Sequence, residues 1–161
     1  MTLLQLSPAS DADFAWLLAP HTAHPGGLTV APGGLETEST LRRLRGLAET
    51  LRRQHPPGAW LMVQGPEIVG LIGYKLAPDS EGRVEFGYGL AESRRRLGFG
   101  TQAVAALVRD ATEDSDIRLL YAETLVGNIG SQKVLRANGF HQSATREDAE
   151  DGALLCWSRA V

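Results

Sequence analysis

The segment Arg94-Arg95-Arg96-Leu97-Gly98-Phe99-Gly100-Thr101 is where residue types and spacing point most directly to chemistry. Three consecutive arginines precede two glycines one residue apart. An amphipathic run over Gly98–Ala111 follows, with Val104, Leu107, Val108 and Ala111 on one face. A helix that begins on these glycines leaves the amides of its first turn unpaired, and its macrodipole adds partial positive charge there. Glycine removes the Cβ that would hold a ligand away from those amides. A phosphate group suits such an end. The segment therefore supports binding of a phosphorylated cofactor.

The identity of that cofactor follows from what surrounds it. Gly98-x-Gly100-x-x-Ala103, with Glu123 downstream, also fits a dinucleotide fingerprint. That fingerprint needs a buried strand running straight into the first glycine. Ser93-Arg94-Arg95-Arg96-Leu97 is no such strand, and an antiparallel meander precedes it. A phosphate loop of the Walker type fails, because no Lys-Ser/Thr follows the glycines. Gly-x-Ser-x-Gly and His-Glu-x-x-His are both absent, so serine-hydrolase and zinc-protease chemistry is unsupported. Coenzyme A is the better fit, with no metal.

The elements that must position this segment can be read in order. Leu3–Leu6 reads as a strand, and Ser10-Asp11 caps a helix bearing Phe14, Leu17 and Leu18. Ala19–Leu35 is a Gly- and Pro-rich loop, suited to be a lid or a wall of the acceptor site. Its His21 and His24 lack further ligands at metal spacing and are expected to be solvent-exposed. Leu41, Leu44, Ala48 and Leu51 mark a helix over Glu36–Gln54, whose arginine-rich face is expected to be solvated. Strands Ala59–Val63, Glu67–Leu76 and Val84–Leu90 make the meander. After the glycine-led helix come a strand, Ile117–Leu125, and a helix, Asn128–Ala137, stopped by Asn138-Gly139. A hairpin of Phe140–Thr145 and Ala153–Ser158 ends the chain. The expected fold is α+β: one domain over residues 1–161 on a mixed sheet.

Composition narrows the setting. The 161 residues are 43% hydrophobic, and a chain of that length buries roughly 70% of its unfolded surface. A net charge of −3 offers no basic excess for nucleic acid. No apolar run approaches the ~18 residues of a membrane span, and Met1-Thr2-Leu3-Leu4 carries no basic leader region. The single cysteine, Cys156, reads as a small buried hydrophobe in a reducing compartment, so a cytoplasmic location is expected. Monomer and homodimer are both compatible with the sequence.

Arg95-Arg96-Leu97-Gly98-Phe99-Gly100 resembles the Arg/Gln-x-x-Gly-x-Gly/Ala signature of the GNAT superfamily of N-acetyltransferases. Together with Val84–Tyr88, Asn128-Ile129-Gly130-Ser131 and Asn138-Gly139-Phe140, it is similar to the RimJ/RimL-like branch over about residues 60–158. Residues 1–58 match the family's N-terminal helices more loosely. The resemblance implies a mostly antiparallel, twisted sheet flanked by helices and splayed at the cofactor site, with acetyl-CoA as co-substrate and an amine as acceptor. Amides over Arg95, Arg96, Leu97, Gly98, Phe99, Gly100 and Thr101 would hold the pyrophosphate. Backbone at Gly89 and Leu90 would pair with the pantetheine arm, and Gly87 and Gly89 suit the bulge that splays the strand. Asn128 and Ser131 would face the sulfur.

Acetyl transfer to an amine needs a neutral nucleophile, a donor for the developing oxyanion and help for the leaving thiolate. A lysine-like ammonium, with pKa ~10.4, needs a base, whereas a terminal amine near ~7.7–8.0 needs less. Glu123 and Glu85 are the candidate bases, each with a salt bridge as the alternative reading. The family's usual tyrosine acid falls at Leu135 in this chain. Ser131 is therefore the expected hydrogen-bond donor to the sulfur, and the N–H of Leu90 the oxyanion donor. Leu135 also leaves a second reading open: a catalytically silent coenzyme A-binding sensor or interaction module on the same fold.

Overall fold

The computed structural model describes residues 3–161; Met1 and Thr2, at the start of the expected domain, lie outside the described residues. Strand β1 is Gln5–Pro8, and Ser10 then opens helix α1 (Asp11–Leu18) through a capping box with Asp13. The 19–35 segment is largely loop but contains a two-residue strand, β2 (Thr29–Val30), which its composition did not announce. Thr37 caps α2 (Glu38–Gln54), two residues later than the periodicity predicts. Strands β3 (Ala59–Gln64), β4 (Glu67–Tyr74) and β5 (Arg83–Leu90) form the meander. A short 3-10 turn (Glu92–Arg94) leads to α3 (Phe99–Glu113), followed by β6 (Leu119–Leu125) and α4 (Ile129–Ala137). Gly139, at φ 79°, stops α4 as expected, and β7 (His141–Asp148) and β8 (Gly152–Ala160) form the last hairpin.

These strands form a mixed, mostly antiparallel sheet flanked by helices, in the order β1-β3-β4-β5-β6-β8-β7, with β2 parallel to the start of β4. The sheet is covered on both faces. Against one face, Val104 and Leu107 of α3 and Leu135 of α4 pack on Phe86, Leu120 and Trp157. Against the other, Phe14 of α1 and Leu41 and Ala48 of α2 pack on Leu61, Ile68 and Leu71. Leu71 and Ile72 fall in opposite clusters, as alternation along β4 requires. Each fully buried leucine contributes roughly 1.5–3 kcal/mol, so the site rests on two rigid layers.

The feature that matters for function is where the sheet stops being continuous. β5 and β6 pair in parallel only over Arg83–Glu85 and Leu119–Tyr121, and beyond Glu85 they part. The expected bulge at Gly87 and Gly89 is not found: β5 pairs with β4 in one unbroken register from Gly70↔Leu90 to Tyr74↔Phe86. The extra residue is Val69, one strand over, because Met62 faces Gly70 while Val63 faces Ile68. A bulge increases local twist, and it lies beside the end of β5, where Ala91 N–H bonds Val69 C=O at 2.9 Å.

Candidate active site

The gap between β5 and β6 exposes backbone in a defined pattern. Lys75 N–H bonds Glu85 C=O, and Ala91 N–H bonds Val69 C=O. In an antiparallel ladder such bonds fall on alternate residues. Gly87 and Gly89 therefore turn their peptide groups toward β4, while Tyr88 and Leu90 turn theirs into the gap. Of the two residues expected to offer backbone to a pantetheine arm, Leu90 has a free edge and Gly89 is engaged by the ladder. Tyr88 is the other gap-facing residue.

At the head of the gap stands the start of α3. Gly98 precedes the helix at φ 83°, in the left-handed region where a side chain is strained, and makes no side-chain cap. The first helical bond runs from Gln102 N–H to Gly98 C=O at 3.1 Å, so Phe99, Gly100 and Thr101 begin the helix with unpaired amides. A Cβ at Gly100 would point inward, at ordinary van der Waals distance from Val134 (3.4 Å) and Leu90 (3.5 Å). Asn138 Nδ2 ties the two helices by donating to Thr101 C=O at 3.2 Å.

The three arginines are not equivalent. Arg94 is turned away and paired with Glu67 through Nε–Oε1 at 2.6 Å and Nη2–Oε2 at 3.1 Å. Arg95 and Arg96 are exposed beside the helix start. Arg96 adopts φ 62°, a conformation that costs a non-glycine residue about 1–2 kcal/mol. Leu97, 58% exposed, forms an apolar rim.

Across the gap, Asn128 caps α4 by accepting the Ser131 N–H at 3.2 Å, which orients the first turn of that helix. Ser131 is half-buried. The Tyr88 hydroxyl is buried without a well-formed hydrogen bond; burial holds its pKa above the usual tyrosine range, and Ser131 is the polar group it faces. Leu135 is fully buried in the core, so the position of the family's tyrosine acid is occupied by packing.

The opposite face of the sheet holds the carboxylates. Arg146 grips Glu123, and Glu123 also accepts from the Tyr121 hydroxyl at 3.2 Å and from the Cys156 thiol at 3.6 Å. The Arg146 guanidinium holds the Glu123 carboxyl below the usual glutamate range, against a smaller opposing effect of burial. That is the wrong direction for a proton acceptor near neutral pH. Glu85 bonds Lys75 Nζ at 2.7 Å. His24 is not the exposed loop histidine expected: its side chain is only 7% exposed, and Nε2 meets Asp13 Oδ1 at 2.8 Å. Groups of acidic, histidine and cysteine residues able to hold a metal are absent among the described residues.

A cavity of about 220 Å³ opens on this face between α2 and strands β3–β5 and reaches Gly87 and Gly89. Its lining includes Glu36 and Arg43, which sequence patterning did not single out. The structure thus gathers Leu90, Gly98–Thr101, Asn128 and Ser131 around one gap and leaves Glu85 and Glu123 in ion pairs on the other face. No helix among the described residues is long and apolar enough to cross a membrane.

The sequence matches the acetyltransferase (GNAT) domain family over residues 3–141. An uncharacterized N-acetyltransferase of Bacillus subtilis (strain 168), YjdG, is 34% identical over 91 residues, covering 53% of this chain and 54% of that protein. The chain thus spans about half the length of the curated relative it matches. Among solved structures, RimL, a ribosomal-protein alpha-N-acetyltransferase in complex with coenzyme A, aligns with a TM-score of 0.76 at 18% identity, covering 100% of this chain and 96% of that one. AAC(6′)-Ib in complex with paromomycin and acetyl-CoA aligns with a TM-score of 0.69 at 15% identity, covering 98% and 93%. At those identities the structural likeness speaks to the fold, and the family match over residues 3–141 speaks to descent. The chain belongs to the GNAT acetyltransferase family.

Proposed function

We propose that this chain, acting as a single domain, transfers an acetyl group from acetyl-CoA to a primary amine by direct attack within a ternary complex. The observation that carries the reading is the parting of β5 from β6 beyond Glu85, directly beside the uncapped start of α3. A phosphate-bearing head group fits the free amides of Phe99, Gly100 and Thr101. Arg95, Arg96, Leu97 and Gly98 shape the turn around it, with two guanidinium groups adding positive charge. An extended amide-containing arm fits the gap, where Leu90 and Tyr88 offer unpaired backbone groups as a neighbouring strand would. Gly89 orients that edge through its bonds to β4. Proteins of the same fold bound to coenzyme A or acetyl-CoA support the same assignment.

When bound, acetyl-CoA supplies a thioester carbonyl that an amine can attack. The Leu90 N–H, aimed into the gap, stabilises negative charge developing on the carbonyl oxygen. Ser131, fixed on the first turn of α4 by the Asn128 cap, donates a hydrogen bond to the departing sulfur. A thiol leaves readily near neutral pH with such modest help. Glu123 and Glu85, both in ion pairs, position β5, β6 and their neighbours rather than taking the proton. The lone cysteine Cys156 is free and buried, which suits a reducing cytoplasm.

Thiol release from acetyl-CoA in the presence of a panel of primary amines tests the reading. Amine-dependent thiol release with a stoichiometric acetylated product is expected. Tight acetyl-CoA binding with no turnover on any amine would favour the silent binding module instead.

A further inference from the structure

Resting on the acetyl-transfer reading, we infer that the acceptor is a primary amine carried on an apolar body, and that Glu36 receives its ammonium group and takes its proton. Glu36 stands immediately before Thr37, whose side chain accepts the Thr40 N–H at 3.3 Å and fixes the entry to α2. From there its Oε1 reaches back to β5, and a Cβ at Gly89 would collide with it. The Glu36 carboxylate thus occupies the space that the missing side chain of Gly89 leaves beside the edge of the gap. The site is adjacent to Leu90, where the acetyl carbonyl is placed by the reading above.

Both carboxylates that the sequence offered as bases are occupied. Glu123 is held by Arg146, Tyr121 and Cys156, and Glu85 by Lys75. Glu36 makes no hydrogen bond or ion pair with any described residue. An exposed carboxylate with free lone pairs, at the mouth of a cavity and against the splayed strand, is placed to accept protons.

The cavity itself selects the rest of the acceptor. Leu44, Leu47, Trp60 and Ile72 give it apolar walls, and its charged lining is Glu36, Arg43 and Lys75. Lys75 is already matched by Glu85. One unpaired carboxylate, in a cavity that Arg43 also lines, accommodates a single ammonium, and the Arg43 charge disfavours further positive groups. In the reaction, the ammonium gives one proton to Glu36 and the nitrogen forms its bond to the acetyl carbon. The carbon–sulfur bond breaks, the nitrogen's second proton goes to the sulfur, and Glu36 returns its proton to solvent.

The test compares wild type, Glu36→Gln, Gly89→Ala and the double variant on hexylamine, 2-phenylethylamine, a tripeptide with an apolar first residue, and spermidine. Initial rates are taken from pH 6 to 10. Calorimetry measures acetyl-CoA binding and binding of the best amine to the coenzyme A complex. The best monoamine is expected to exceed spermidine in kcat/KM. Glu36→Gln should lower kcat/KM about 10²-fold at pH 7, weaken amine binding to the complex and leave acetyl-CoA affinity unchanged. The defect should shrink as pH rises toward the alkylamine pKa of ~10.4, where the amine needs no base. The double variant should be no slower than Glu36→Gln by more than Gly89→Ala alters acetyl-CoA binding. Wild-type rates and amine affinity in Glu36→Gln, or spermidine as the best acceptor, would overturn the inference while leaving acetyl transfer intact. A wild type that binds acetyl-CoA but acetylates nothing would defeat both.

Discussion

Arg146 on β7 clamps Glu123 on β6 across the intervening strand β8, with Nε to Oε2 at 2.6 Å and Nη2 to Oε1 at 2.9 Å. Glu123 is 11% exposed and Arg146 46%, so the pair is shielded on one side only. A two-bond grip of this kind fixes the carboxylate's orientation as well as its charge. It ties β6 to β7 over β8 on the far side of the gap.

Because Glu123 has its folded-state pKa lowered, chiefly by Arg146, it stabilises the fold above the unfolded value of ~4.3. That contribution is lost as pH falls through the folded pKa. Glu123→Gln is expected to cost ~1–2 kcal/mol at pH 7, discounted for the exposure of Arg146. Urea denaturation should show the difference from wild type narrowing at pH 3. Acetyl-CoA affinity should be unchanged, and kcat/KM should keep its wild-type pH dependence.

Arg94 and Arg95 are adjacent and should behave differently. Arg94→Ala breaks a partly buried ion pair with Glu67 and should lower stability, while leaving acetyl-CoA affinity within about twofold because Arg94 is turned away from the start of α3. Arg95→Ala should weaken acetyl-CoA binding by about 1.5–3 kcal/mol if it bonds a phosphate. The salt dependence of binding should fall with it. Calorimetry at two ionic strengths separates the two variants.

Gly98→Ala places a side chain at φ 83°. The expected cost is ~1–2 kcal/mol in stability, with a parallel loss of acetyl-CoA affinity as the helix start shifts. Denaturant melts and calorimetry on the same preparation check both parts.

Ser131→Ala and Asn128→Ala separate chemistry from support. Ser131→Ala should lower kcat with acetyl-CoA affinity and melting temperature unchanged. Asn128→Ala removes a helix cap and should cost about 1 kcal/mol of stability, lowering kcat by misplacing Ser131. Single-turnover rates and thermal melts distinguish them.

Much of the site was legible in local pattern. The glycine-led start of α3, the Asn128 cap and the Asn138-Gly139 stop each depend on residues close in sequence, where periodicity and capping preferences act. What was missed depends on distant partners. Nothing near Arg94 reveals that Glu67 will turn it away from the start of α3. The bulge at Val69 hides in an apolar run where one added residue leaves no mark. β2 is two residues long and exists because the start of β4 offers an edge. Gly100 reads as an opening for phosphate, and nothing near it in sequence reveals that its Cβ position points inward to Val134 and Leu90. Glu36 has no motif around it; its significance comes from the vacancy at Gly89, across a fold that brings the two together.

Titration calorimetry of acetyl-CoA into the purified protein, with NADH as the control ligand, asks whether the β5–β6 gap and the start of α3 hold the cofactor. Saturable one-to-one binding of acetyl-CoA is expected, weakened in Arg95→Ala and Gly98→Ala, with no heat from NADH. Folded, cofactor-free protein that fails to bind acetyl-CoA would contradict the assignment of the β5–β6 gap and the α3 N-terminus as its site.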